Sequence, residues 1–147
     1  MRIRTAVRVL TAVLVAATGL SVLTAVPAAA APPGSCTLRM VSLTALNLYD
    51  DGGTDLVWLK LDQTFFPPGN EGVAFQTPDL GDARPAADFG APVMGFTAAG
   101  LTSAIVFDRF PFNYVLDGAK IPCAATDHGV RDYKGGGAVY RLRYTVA

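Results

Sequence analysis

Leu43-Thr-Ala-Leu-Asn-Leu-Tyr-Asp-Asp-Gly-Gly-Thr-Asp-Leu-Val-Trp-Leu-Lys-Leu61 reads as strand, acidic turn, strand. Its second half alternates. Val57, Leu59 and Leu61 point one way, and Trp58, Lys60 and Asp62 the other, the pattern of a strand with one buried and one wet face. The first half changes phase. Val41, Leu43 and Ala45 share one phase and Leu46 and Leu48 take the opposite one, so either a bulge shifts the register or both faces are covered. Between the halves lies Asp50-Asp51-Gly52-Gly53-Thr54-Asp55. Glycine admits positive φ and aspartate bonds its own backbone in turns, so a hairpin or a short loop between two sheets is expected.

Three carboxylates in six residues have two readings. They could hold a hard cation, because calcium collects six to eight oxygens, several of them carboxylates. They could equally be turn residues. The helix–loop–helix calcium motif is excluded, because the twelfth position from Asp50 is Leu61 where that motif needs glutamate.

Outward from this stretch, residues 1–30 read as a signal peptide. Arg2, Arg4 and Arg8 precede an apolar run from Val9 to Val26, and Ala28-Ala29-Ala30 fits the small-residue cleavage rule. Residues 31–147 then form the mature domain, a size that one core can organise. Without the three leader arginines it carries nine basic and twelve acidic residues, a net charge of −3. Nucleic acid and anionic membrane are poor partners for that balance, no membrane span remains, and an extracellular protein or glycan is the expected partner. Cys36 and Cys123, the only cysteines, read as a disulfide in an exported chain.

Further strands are expected at 73–75, 101–107, 119–123 and 138–146. The last is the cleanest, with Ala138, Tyr140, Leu142, Tyr144 and Val146 on one face and Val139, Arg141, Arg143 and Thr145 on the other. Residues 78–92, rich in Pro, Gly, Ala and Asp, read as a long surface connection pinned by Phe89, Met94 and Phe96. Residues 108–118 read as a second loop with an aspartate near each end and three alternating aromatics, Phe110, Phe112 and Tyr114. These aromatics either form an exposed binding patch or cap the core. Residues 124–137, with His128 and Gly135-Gly136-Gly137, read as loop. Six to eight short strands without a helical period predict an all-β, antiparallel sandwich.

The run Leu43 to Leu61, the pair Ile105-Val-Phe-Asp108 and Leu116-Asp117-Gly118-x-x-Ile121, and the close Tyr140-x-Leu-x-Tyr144-x-Val146 resemble small secreted actinobacterial β-sandwich proteins with a C2-like fold. The resemblance implies calcium between two loops, held by Asp50, Asp51, Asp55, Asp108 and Asp117.

No Gly-x-Ser-x-Gly and no His-Glu-x-x-His occurs, and His128, the only histidine, reads as a loop residue. The expectation is a secreted, non-catalytic binding module with Trp58, Phe110, Phe112 and Tyr114 as its contact surface. The alternatives are a small carboxylate-based hydrolase using the same aspartates, or an inhibitor of an extracellular enzyme.

Overall fold

In the computed structural model the described residues are 34–49, 53–107, 114–118 and 120–147. They form two antiparallel sheets packed face to face, the expected sandwich. In chain order the strands are β1 (Ser35–Asn47), β2 (Thr54–Leu61), β3 (Thr64–Phe66), β4 (Val73–Gln76), β5 (Ala83–Pro85), β6 (Val93–Thr97), β7 (Ser103–Phe107), β8 (Tyr114–Asp117), β9 (Thr126–Gly135) and β10 (Ala138–Val146). Both sheets follow one plan. In the first, β10 pairs with β1 and β9, and the far side of β1 is met by β6 and then β5. In the second, β7 pairs with β2 and β8, and the far side of β2 is met by β4 and then β3. β1 and β2 lie in different sheets, so the acidic segment is a crossing between sheets rather than a hairpin turn. Its residues 50–52 lie outside the described residues.

β1 resolves the phase change by bulging twice, between Met40 and Ser42 and between Ala45 and Asn47. Each bulge puts one extra residue on the strand and turns it outward. Val41 and Leu46 are those residues, and both are exposed, while Leu38, Met40, Leu43, Ala45 and Leu48 are buried. Val41 therefore does not share a face with Leu43 and Ala45.

The core is the inner faces of both sheets: Leu43, Val57, Leu59, Leu61, Phe75, Ile105, Phe107, Tyr133, Tyr140 and Leu142, with Phe89 and Phe96 sealing one flank. On β10 the five expected inward residues are all buried. β9 occupies what the sequence suggested was loop. Its turn into β10 is Gly136-Gly137, both at positive φ, the geometry that a two-residue hairpin demands. A Cβ on Gly136 would also strike the Tyr49 ring. Of the strand expected at 119–123, residue 119 lies outside the described residues and the rest forms only a single bridge, between Leu101 and Ile121.

The disulfide joins Cys36 to Cys123 with Cα atoms 5.5 Å apart. Cys36 opens β1 in the first sheet. Cys123 follows Ile121, whose partner Leu101 leads into β7 of the second sheet. The bridge thus ties the two sheets together at one end.

Candidate functional site

Asp55 begins β2 and points inward. It is only 4% exposed. Its Oδ2 accepts two hydrogen bonds, from the Tyr140 hydroxyl at 2.7 Å and from the Tyr49 backbone N–H at 2.9 Å. Tyr140 lies on β10 and Tyr49 just beyond β1, so this carboxylate ties the first sheet to the second. Burial pushes the Tyr140 phenol well above its ordinary range, and the Asp55 carboxylate beside it pushes it further. Around this pair Phe75 meets the Tyr140 ring edge-on at 5.4 Å, and Phe107 meets it from another side at 5.4 Å. The Tyr114 ring lies tilted against Tyr49, centroids 4.7 Å apart, and 6.1 Å from Phe107. Of the three aromatics 110–114, Tyr114 is therefore a half-buried cap on the core. Phe110 and Phe112 lie outside the described residues.

Asp117 lies elsewhere. It is opposite Ala104, which is opposite Lys60, five residues along β2 from Asp55. At about 3.3 Å per residue the two aspartates are about 17 Å apart along the sheet. Asp117 is exposed and lines a shallow 240 Å³ depression with Lys60, Asp62 and Thr102. Asp55 and Asp117 are thus not brought together. Asp50, Asp51 and Asp108 lie outside the described residues, and among the described residues no three His, Cys, Asp or Glu side chains cluster. A hydrolytic role for Asp55 meets the same obstacle, because its carboxylate is buried and already bonded twice.

Trp58 does not lie on a wet face. It is 7% exposed, on the outer side of the second sheet, where the segment after β3 folds over it. A Cβ on Gly72 would sit 2.9 Å from the indole, so only glycine permits this approach. Nearby, Lys60 lies over the Phe65 ring at 5.4 Å.

Tyr133 presents a buried polar group of another kind. It is fully buried, and neither its hydroxyl nor that of the adjacent Ser103 meets hydrogen-bond geometry with any described group. Burial pushes its phenol up to about 12, with the nearby Ser103 hydroxyl pulling the other way. An unfolded tyrosine ionises near pH 10. Below that pH the folded and unfolded chains bind the same proton. Between pH 10 and about 12 only the unfolded chain loses it, so stability falls. At about 1.4 kcal/mol per unit, the loss across that window is about 2–3 kcal/mol. Tyr133→Phe is expected to remove this share of the alkaline slope in urea melts and to hold neutral-pH stability within about 1 kcal/mol, since no hydrogen bond is lost. An unchanged slope would contradict the assignment.

The arrangement that sequence reading missed lies on the outer face of the first sheet. Val93 is opposite Arg39, and Arg143 is opposite both Ser42 and Val130. Val41 is turned onto the same face by its bulge. Val130, Val41 and Val93 are 52%, 49% and 48% exposed, the three most exposed large apolar side chains among the described residues. One row further along, Arg141 grips Asp132 through a two-pronged ion pair, Nε–Oδ1 2.8 Å and Nη2–Oδ2 3.0 Å. Arg141 holds the Asp132 carboxyl below the usual carboxylate range. Arg39 and Arg143 have no ion pair among the described residues. His128, on strand β9 rather than in a loop, lies beside Arg143 at a pocket of 120 Å³.

Compared with known protein families, curated proteins and solved structures, the chain matches none.

Proposed function

We propose that the chain is an exported, non-catalytic β-sandwich that binds another protein through the outer face of its first sheet. The observation that carries this reading is one face holding the three most exposed large apolar side chains among the described residues, all valines, beside Arg39 and Arg143, which have no ion pair among those residues. Exposed apolar groups gathered on one face, with polar groups around them, are the usual mark of a contact surface. Arginine is enriched at such surfaces, and here two of them stand among the apolar side chains. Export is supported by the Cys36–Cys123 bridge, which persists in oxidising compartments. Among the described residues no helix is long and apolar enough to cross a membrane.

The test is capture from the extracellular fluid of the source cells by the immobilised oxidised protein. Val41→Glu/Val130→Glu places charge on the proposed face. Phe65→Glu/Val115→Glu does the same on the outer face of the other sheet. A partner held by wild type and by the second variant, and lost by the first, is expected. Retention by both variants, or loss only with the second, overturns the reading.

A further inference from the structure

We propose that the pocket beside Arg143 takes the C-terminal carboxylate and last branched aliphatic side chain of a partner polypeptide. This rests on the reading of the face as a protein-binding surface and names what that surface grips. The pocket is lined by Val41, Asp127, His128, Val130, Arg143 and Tyr144 and holds 120 Å³. At about 30 Å³ per water, that is room for about four waters. Whole small-molecule ligands occupy pockets of about 300–1,000 Å³, so this one suits the end of a chain.

Its chemistry is divided. Val41 and Val130 supply apolar walls, one thrust outward by the bulge and one from the neighbouring strand β9. Arg143 supplies a planar fork of donors that matches a carboxylate with two parallel hydrogen bonds. The same face already displays that match. Arg141, two residues away on β10, holds the Asp132 carboxylate in such a fork. Arg143 has the same orientation on the strand, and Val130 rather than an acid stands opposite it. Arg39, diagonally across on β1, adds a second positive charge. Asp127 at the pocket rim carries the opposite charge, does not pair with Arg143, and opposes an incoming carboxylate. Its removal therefore has a predictable sign.

The experiment uses the full oxidised chain and NMR amide shifts. N-acetyl-leucine is the probe, and N-acetyl-leucinamide is its uncharged twin. The acid is expected to bind with a Kd of about 1 mM and to shift residues 128–130 and 143–144, with the amide about tenfold weaker. Arg143→Gln is expected to weaken the acid about tenfold and Asp127→Asn to tighten it, with thermal melts unchanged. Val130→Ser is expected to reduce N-acetyl-leucine to the level of acetate. Equal binding of acid and amide, no saturable shift with the acid, or no effect of Arg143→Gln overturns the assignment. A partner captured through this face while the probe fails leaves the interaction reading standing and removes only the carboxylate. Binding of the probe with no captured partner leaves a carboxylate pocket and overturns the interaction reading, and with it a polypeptide as the source of the carboxylate.

Discussion

Asp55→Ala is expected to cost about 3–5 kcal/mol. The alanine removes the acceptor of the buried Tyr140 hydroxyl and of the part-buried Tyr49 N–H, at about 1–3 kcal/mol each. It also opens a small void between the sheets. Tyr140→Phe removes one of those donors, so the double variant Asp55→Ala/Tyr140→Phe is expected to cost less than the two single changes summed, with a coupling of about 1–3 kcal/mol. Urea melts measure all four forms. The cost is expected to be the same in EDTA and in calcium, because the carboxylate is committed to protein donors. A melt that calcium raises in the wild type and not in Asp55→Ala would make Asp55 a ligand and overturn the latch.

Cys36→Ala/Cys123→Ala is expected to be comparably severe. The bridge joins cysteines 87 positions apart in sequence. Chain entropy assigns such a loop about 4–5 kcal/mol at most, and reduction of the wild type should reproduce the loss. A loss of stability below about 1 kcal/mol would mean that the reduced chain keeps its ends together without the bond. The two ties sit at opposite ends of β1, one at Cys36 and the other beyond Asn47. Sites that far apart act independently, so losing both is expected to remove up to about 7–10 kcal/mol. Small domains have about 5–15 kcal/mol in total, so the variant lacking both ties is expected to be largely unfolded.

Parts of this molecule are legible in the sequence for a physical reason. Where a strand has one face in the core, period-two alternation names its inward residues, and β10 and the inner side of β2 obey it. β9 escapes because its inward positions include Gly129 as well as Tyr133, while charged residues and an outward Val130 fill the rest. Trp58 escapes because alternation assigns a side but not what covers that side. The site was less legible still. Asp55 looked like a loop ligand because the residue that claims it, Tyr140, is 85 positions away. The valine–arginine face depends on a bulge that reverses Val41 and on a strand, β9, whose pattern is weak. Nothing local in the sequence places Arg143 beside Val130.

The pairing of β1 with β10 has a consequence for how the chain becomes a protein. Leu38 to Asn47 find their partners among residues 139–146, and the backbone of Thr37 exchanges hydrogen bonds with Ala147. A chain made from its N-terminus therefore carries the β10-facing edge of β1 unpaired until residues 138–147 have been synthesised. Such distant contacts slow folding, and unpaired strand edges invite wrong partners in the interval. Stalled or C-terminally clipped chains lacking β10 should therefore collect as aggregates rather than as smaller soluble sandwiches.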